Sequence, residues 1–354
     1  MSEGTINIEG AVCAPALPHN ERIMMGHGAG GRMGQQLIQK AFLPAFHNPA
    51  LAAGDDAALL DPGLRQQLSI STDCHVVTPL FFPGGDIGRL AVCGTVNDVA
   101  MLGAKPLYLT AGFILEEGLE MSTLQRVVES MQAAAQEADV QIVAGDTKVV
   151  QKGKADGLYI TTSGIGVVRS NVHIGGAQAK PGDVVILSGS IGDHGIAVLG
   201  ARGELGFESS VQSDAAPLNH LIDAILDTSN HIHVLRDPTR GGLATTLNEI
   251  AVQSGVGICL DERTIPVRPE VGAASEMLGF DPLYIANEGK LVAIVAREDA
   301  EIVLQVMRQT RYGEEAVIVG EVIAEPPGRV LLKTALGSTR VVDMLAGEML
   351  PRIC

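Results

Sequence analysis

Residues 86–102 have the sequence DIGRLAVCGTVNDVAML, in which Asp86 can cap a helix whose apolar residues continue to Leu102. A strand pattern over Gln67–Thr72 precedes this helix. After the helix, a strand pattern over Pro106–Phe113 is followed by a second amphipathic helix and by strands over Gln141–Gly145 and Leu158–Val168. Capping-box spacing of Ser122 and Gln125 predicts where the second helix begins. Strands that alternate with helices predict an α/β (α+β) fold built in layers.

The second half of the chain repeats this alternation behind a polar, glycine-rich stretch, Ser170–Asp183, which predicts a domain boundary. A buried strand is expected over Val184–Ser188 and another over Lys290–Ala296, with a helix from Pro217 through Leu226 between them. We therefore predict four parts of the chain: a mobile arm at 1–20, a first domain at 21–172, an α/β domain at 173–345 and a flexible tail at 346–354.

Composition excludes several classes of function. The net charge of −16 argues against a nucleic-acid partner, because phosphate backbones select basic surfaces. No apolar run reaches the ~18–20 residues that span a bilayer, so a membrane partner is not expected. Five cysteines, an odd number without a CxxC pair, favour the reducing cytoplasm over a disulfide framework.

Five aspartates occupy turn-like or strand-end positions and form a candidate magnesium site. Asp73 and Asp146 each follow an apolar strand pattern, and Asp98 lies on the apolar helix, where a carboxylate is costly unless it is paired or bound to metal. Oxygen ligands shared with phosphates and water are what Mg²⁺ prefers. Taken singly, each is more often a cap or a turn residue. The full set of candidate ligands is Asp55, Asp56, Asp73, Asp98 and Asp146.

Two glycine-rich loops can bring backbone N–H groups close to an anion. One contains Gly28, Gly30 and Gly31 ahead of a helix over 33–41, and the other runs from Ser188 to Gly195. Neither is a Walker loop, and the first lacks the spacing of a dinucleotide fingerprint, so a Rossmann dehydrogenase is a distant alternative.

Three further positions carry groups suited to phosphate or proton chemistry. Lys148, beside Thr147, can meet a phosphate or be a surface lysine; Arg240 is expected in the first turn of a helix, where a cation opposes the dipole and hints at an anionic ligand. Glu288 can be a general base or a turn carboxylate.

The last four residues, Pro351 to Cys354, place a thiol on a short tail without helical or strand periodicity. A thiolate is a common nucleophile and acyl carrier, and Arg352 would favour it. From these four residues alone, an incidental cysteine on a frayed end is the simpler interpretation.

Together the motifs resemble the ATP-using superfamily of aminoimidazole ribonucleotide synthetase and, within it, the HypE family of hydrogenase maturation factors. The resemblance covers residues 23–354. The motifs that carry it are Gly54-Asp-Asp-Ala-Ala, Ser71-Thr-Asp73, Asn97-Asp98-Val-Ala, Gly145-Asp-Thr-Lys-Val-Val150, Gly192-Asp-His-Gly195, Arg236-Asp-Pro-Thr-Arg-Gly-Gly242, Ala286-Asn-Glu-Gly-Lys290 and Pro-Arg-Ile-Cys354.

This resemblance implies a homodimer whose first-domain sheets pair into a shared barrel, with ATP at the cleft. It implies that the carbamoyltransferase HypF loads a carbamoyl group onto Cys354, that ATP drives its dehydration to a thiocyanate, and that cyanide passes to iron on the HypC–HypD complex. Under it, the aspartates hold Mg²⁺ on the ATP phosphates, Lys148 steadies the transferred phosphate and Glu288 removes protons. Gly28, Gly30, Gly31, Asp98, Thr147, Lys148 and Arg240 would bind the nucleotide.

Two other functions fit parts of the pattern. A sibling synthetase or small-molecule kinase of the same superfamily would need no Cys354. A scaffold whose tail only binds iron or a partner protein would turn over no ATP.

Overall fold

The computed structural model describes residues 31–37, 39, 53–60, 63, 66–170, 172–203, 210–345, 350 and 352–354. Predictions for the arm at 1–20, for Gly28 and Gly30, and for residues 38, 40 and 41 of the helix over 33–41 lie outside these residues. Its described part, α1, spans Gly31–Leu37.

The first of the two large sheets is built from strands before residue 170. Its elements are β1 (Ala58–Leu60), β2 (Leu68–His75), α2 (Ile87–Met101), β5 (Ala104–Glu116), α3 (Met121–Glu137), β6 (Gln141–Val150) and β7 (Leu158–Val168). The strand order is β1-β2-β7-β5-β6, antiparallel except for the parallel β5–β6 pair. A short hairpin, β3 (Phe81–Phe82) and β4 (Gly85–Asp86), precedes α2.

The second sheet has seven strands in the order β14-β13-β10-β12-β8-β11-β9. Its elements are β8 (Val184–Leu187), α4 (Asp193–Arg202), α5 (Asn219–Thr228), β9 (Ile232–Arg236), α6 (Gly242–Ser254), β10 (Gly257–Asp261), α7 (Pro269–Leu278), β11 (Val292–Val295), α8 (Ala300–Gln309), β12 (Val317–Ile323), β13 (Arg329–Lys333) and β14 (Thr339–Val342). Since Val168 ends the first sheet and Val184 begins the second, the boundary at 172/173 remains our proposal.

Helix α2 is the buried centre of the first domain. Asp86 caps it as predicted, accepting hydrogen bonds from the N–H groups of Gly88 and Arg89 at 2.7 and 3.1 Å. Thirteen of its fifteen residues are buried, because sheet, helix α3 and the second domain cover it from all sides. Residues on every face of this helix therefore meet another part of the protein.

Three local predictions were wrong. Helix α3 begins at Met121 after Glu120, which makes no side-chain capping bond, so the Ser122–Gln125 capping box does not form. Asp73 and Asp146 lie within β2 and β6, because both strands continue past the apolar runs. Arg240 precedes helix α6, whose first residue is Gly242.

Candidate active site

Strand β2 presents one polar face to helix α2. Ser69, Ser71, Asp73 and His75 alternate along the strand, so they share a face. Ser71 Oγ donates to Asp98 Oδ2 at 2.7 Å, and Ser69 Oγ donates to the carbonyl of Val99 at 3.0 Å. This pairing turns the carboxylates of Asp73 and Asp98 toward the same space.

A glycine lets strand and helix approach this closely. A Cβ at Gly94 would lie 2.9 Å from Asp73 Oδ2 and 3.1 Å from His75 Cε1. Any larger residue at position 94 would push the helix away from the two side chains.

The polar face opens into a cavity of ≈ 160 Å³ between the two domains. The loop between β9 and α6 supplies part of the remaining wall, the loop ahead of β11 supplies Glu288, and the end of the chain supplies Cys354. The lining residues are Asp56, Asp73, His75, Asp98, Asp237, Thr239, Arg240, Glu288 and Cys354. The fold thus brings Cys354 next to eight residues that lie up to 298 positions before it in the sequence.

Carboxylates dominate this cavity and several of their oxygens have no partner. Asp56 Oδ2, Asp237 Oδ2 and Glu288 Oε1 are buried without a hydrogen bond. Loss of hydration raises the pKa of Asp98 and of Glu288 well above their usual values, and neighbouring carboxylates raise both further. Burial likewise raises the pKa of Asp237 to about 6. Such a set is suited to a cation or to proton transfer.

An arginine from the second domain compensates one of these charges. Arg236 Nη1 lies 3.1 Å from Asp56 Oδ1, and Nη2 donates to Glu249 Oε2 at 2.7 Å. Burial and the nearby Arg236 act in opposite directions on the pKa of Asp56, and burial, the larger effect, raises it. Asp56 is therefore held in place but is not fully neutralised.

The thiol of Cys354 enters the cavity beside Arg240. Arg240 Nη1 donates to Cys354 Sγ at 3.2 Å. Burial raises the pKa of this thiol to about 12 although Arg240 lowers it, and the anionic neighbours raise the pKa of Arg240 in turn. In this docked position, burial therefore favours the protonated thiol over the thiolate. Arg352, which the sequence suggested as its activator, pairs instead with Asp156.

Several predicted site residues lie elsewhere. Asp55 Oδ1 accepts from the N–H of Gly176 at 2.7 Å, at the domain boundary. Gly31, with φ of +64°, packs on the backbone of Leu345, where a Cβ would lie 2.3 Å from the carbonyl oxygen. Asp146, Thr147 and Lys148 are exposed on β6, with Lys148 Nζ 3.6 Å from Asp146 Oδ2.

His75, Thr239 and Asp237 are the cavity residues that the sequence prediction missed. Asp237 directly follows the buried strand β9, the same strand-end pattern that marks Asp73 in the sequence.

Comparison with known proteins first defines the class. Residues 54–168 match the N-terminal domain of the AIR synthase related protein family, and residues 180–333 match its C-terminal domain. The two matches span both sheets, so the chain is a two-domain AIR synthase-related protein.

Within that class, the chain belongs to the HypE family of carbamoyl dehydratases. It is 57% identical over 333 residues to carbamoyl dehydratase HypE of Cupriavidus necator, covering 94% of this chain and 95% of the relative. A crystal structure of HypE with ATP matches at a TM-score of 0.79 and 51% identity, over 93% of this chain and 98% of that one. A HypE–HypF complex matches at a TM-score of 0.83 and 51% identity, over 87% and 99%.

In the described part of the chain, no helix combines the length and apolarity needed to cross a membrane.

Proposed function

We propose that this chain is an ATP-dependent carbamoyl dehydratase of hydrogenase maturation, which converts a thiocarbamate on Cys354 into a thiocyanate. The observation that carries this proposal is the Cys354 thiol inside a cavity lined by carboxylates and Arg240. The family relationship supports the reaction, and the similarity to an ATP-bound HypE supports ATP as the co-substrate.

The reaction removes one oxygen and two protons from the carbamoyl group. Its oxygen attacks the γ-phosphorus of ATP, the bond to ADP breaks, and the oxygen then leaves carbon as part of phosphate. Both N–H bonds break as the C≡N bond forms, so R–S–CO–NH₂ and ATP give R–S–CN, ADP, phosphate and one net proton. A phosphorylated oxygen leaves where a free one would not.

Glu288 is the proton acceptor that the cavity favours. Its side chain is buried, its Oε1 has no partner, and its backbone N–H donates to Asp214 Oδ1 at 3.0 Å, which fixes the residue in place. A raised pKa makes its carboxylate a stronger base than an exposed glutamate. Arg240, next to the sulfur, compensates charge that develops on the transferred oxygen.

The acidic residues fit Mg²⁺ as the partner of the ATP phosphates. Among the described residues, no three His, Cys, Asp or Glu side chains are arranged as a ready metal cage. Mg²⁺ does not need one, since it binds through one or two carboxylates plus phosphates and water. Asp98 and Asp73, with unpartnered oxygens of Asp56 and Asp237 nearby, would hold the ion. When bound, it neutralises charge on the phosphates during transfer.

The position of the docked thiol inside the cavity, together with its raised pKa, supports loading on an undocked tail. A thiol with a pKa near 12 is a poor nucleophile at neutral pH. We infer that Cys354 receives its carbamoyl group outside the cavity from HypF, the partner seen in the similar HypE–HypF complex. Passage of cyanide to HypC–HypD, a cytoplasmic location and the flexibility of residues 346–354 remain predictions.

The first sheet favours a homodimer. Strand β6 is the sheet's last strand, and nearly all of it is exposed, including Val143 at 56% and Val149 at 68%. A free, apolar edge strand is a template for pairing with another chain. A second copy would cover it and would draw Asp146, Thr147 and Lys148 into the interface, which explains how exposed residues can serve a nucleotide site.

Replacing Val143 with Asp tests this dimer. A charge on the pairing strand is costly in a sheet interface, so we expect V143D to sediment as a monomer where the wild-type chain sediments as a dimer. Val252→Asp, at a 63% exposed position on α6, is the matched control and should leave the sedimentation unchanged. A dimeric V143D would place the interface elsewhere.

Intact mass is the direct test of the proposed function. The chain is incubated with HypF, carbamoyl phosphate and Mg-ATP, beside Cys354→Ala. We expect a carbamoyl adduct that becomes one water lighter, only with ATP and only in the chain that has Cys354. An adduct that never loses water would reduce the protein to a carrier. No adduct, with HypF shown to be active, would favour a sibling kinase or synthetase.

A further inference from the structure

The described end of the tail lies beside residues 76–78 as an extra piece of antiparallel strand. Val77 and Ile353 form a bridge, with Val76 N–H donating to the Cys354 oxygen at 2.9 Å and Thr78 N–H to the Arg352 oxygen at 3.3 Å. Successive carbonyls of an extended chain point in opposite directions. The carbonyl of Ile353 therefore faces away from this strand.

That carbonyl meets His194, a fully buried residue in the first turn of α4. His194 Nε2 lies 2.6 Å from the Ile353 oxygen. A carbonyl can only accept, so Nε2 carries the proton. Burial lowers the pKa of His194, which keeps the ring neutral and makes Nδ1 an acceptor.

Ser213 fixes this tautomer from the other side. Its Oγ lies 2.8 Å from His194 Nδ1 and accepts from the N–H of Ala215 at 3.1 Å. With the amide donating to the hydroxyl, the hydroxyl proton is directed to Nδ1. The three hydrogen bonds thus point in the same direction: Ala215 donates to Ser213, Ser213 donates to His194, and His194 donates to the tail.

The side chain of Ile353 fills a matching apolar pocket. It is 4% exposed and belongs to the core cluster of the first domain. A Cβ at Gly195, the residue after His194, would lie 2.3 Å from Ile285 Cγ2, 3.2 Å from Leu350 Cδ1 and 3.6 Å from Ile353 Cδ1, so the glycine lets α4 pack closely on Ile285 with the tail beside it. Phe82 packs edge-on against the His194 ring, with 5.5 Å between ring centroids.

We propose that His194 is a positioning residue for the dehydration step, whose Nε2–H holds the carbonyl of Ile353 and so sets where Cys354 Sγ enters the cavity. It touches the backbone of the tail and none of the reacting atoms. If the pairing of the tail with residues 76–78 shifted by one residue, the thiol would turn to the opposite side of the tail. In the observed register, the carbonyl of Ile353 faces His194 while the side chain of Ile353 fills its apolar pocket. This role rests on the proposed function.

Two substitutions separate the donor from the rest of the side chain. H194Q can keep an N–H donor near the position of Nε2, whereas H194N can keep an acceptor for Ser213 but cannot reach the tail. If His194 acts through its Nε2–H, H194N loses docking and H194Q retains most of it.

The first readout needs no catalysis. The alkylation rate of Cys354 by iodoacetamide is measured by peptide mass spectrometry at fixed pH, with the exposed Cys74 in the same chain as reference. Loss of one net hydrogen bond should release the tail enough to raise the rate for H194N about tenfold. The rate of Cys74 should not change, and H194Q should stay close to the wild type.

The second readout follows the loaded tail through one turnover. Protein already carbamoylated by HypF is mixed with Mg-ATP, and loss of water is timed by intact mass. H194N should dehydrate about tenfold more slowly while accepting the carbamoyl group at least as fast as the wild type. General damage to the fold would lower both rates, so unchanged or faster loading combined with slower dehydration is specific to the positioning role.

The outcomes are distinct. Equal alkylation and equal dehydration rates for H194N and wild type overturn the proposal, as does an equal loss in H194N and H194Q. If H194N does not fold by circular dichroism, Ser213→Ala, which removes the donor to Nδ1, must raise the alkylation rate or the proposal fails. If tail release follows the prediction but the wild type never loses water, His194 still positions the tail and the proposed function is the part that fails.

Discussion

Replacing Glu288 with Gln should leave the chain able to bind ATP and to accept a carbamoyl group on Cys354, yet stop the loss of water. The carboxylate is buried, has an unpartnered oxygen and shares a cavity with the thiol. Gln matches its shape but cannot accept a proton. A positioned base accounts for about 10²–10⁴-fold in rate, so we expect a loss of that order in single-turnover dehydration.

The folded state should tolerate this change. Burial and nearby carboxylates, above all Asp73 and Asp214, raise the pKa of Glu288, so its charged form is costly in the absence of a cation. A neutral amide avoids that cost, and we expect the thermal midpoint of E288Q to equal or exceed that of the wild type. Lost activity would then not reflect lost structure.

Glu276→Gln is the matched control, because Glu276 is exposed on α7. It should dehydrate at the wild-type rate. If E288Q also does so, the base is another cavity residue, with Asp237 and His75 as the remaining candidates.

The sequence was sufficient to predict elements whose pattern is local. Strand β7 has the predicted bounds, Leu158–Val168, and the capped helix α2 ends at Met101, one residue before the predicted end. Both have long apolar patterns with clear ends. The predicted strands within β2 and β6 end too early because the second half of each strand carries Asp, and that of β6 also Lys, and both residue types are infrequent in strands.

The convergence of the site could not be predicted from local pattern. Asp73 and Asp98 meet because Ser71 and Ser69 bond β2 to α2, a tertiary contact that no spacing in the sequence reveals. Asp237 and Glu288 come from the other domain. Asn97, next to Asp98 on α2, joins the two domains at this point. Its side chain donates to the carbonyl of Ala216 and accepts from the N–H of Leu218, both in the second domain.

Resemblance to a family gave the set of candidate residues but not their positions. Asp55 caps a backbone N–H at the domain boundary, and Asp146 and Lys148 lie on an exposed edge strand. These residues belong to the family motifs, yet within a single chain they lie outside the cavity. Assembly is the physical reason that we propose, because β6, on which Asp146 and Lys148 lie, pairs with β5 along one edge and has no strand partner along its other edge within the described chain.

Asp98→Asn should separate stability from activity more clearly than any other single change. Asn keeps an oxygen for the 2.7 Å bond from Ser71 but removes the charge. Burial, followed by Asp237, Asp73 and Asp56, raises the pKa of Asp98, so without metal its charge destabilises the fold. We expect metal-free D98N to gain about 1–3 kcal/mol in urea unfolding at pH 8, and to lose ATP turnover.

The pH dependence has a definite sign. A carboxyl whose pKa is higher in the folded state than in the unfolded chain holds its proton longer when folded, so stability falls as pH rises above the unfolded value of 3.8. For Asp237 that fall continues to about pH 6, its raised value in the folded state. These carboxyls therefore destabilise the metal-free wild type increasingly as pH rises above about 4, and the stability advantage of D98N over the wild type should grow with pH.

Mg-ATP should reverse the order of stability, so that the wild type becomes more stable than D98N. If Asp98 helps to hold the ion, Mg-ATP raises the thermal midpoint of the wild type and leaves that of D98N almost unchanged, since a ligand stabilises only the state that binds it. Asp343→Asn, at an exposed residue near Arg329, should respond as the wild type does. A D98N chain that is less stable than the wild type without metal, or equally stabilised by Mg-ATP, would show that Asp98 is a structural carboxylate. The cation site would then have to be built from Asp56, Asp73 and Asp237 alone.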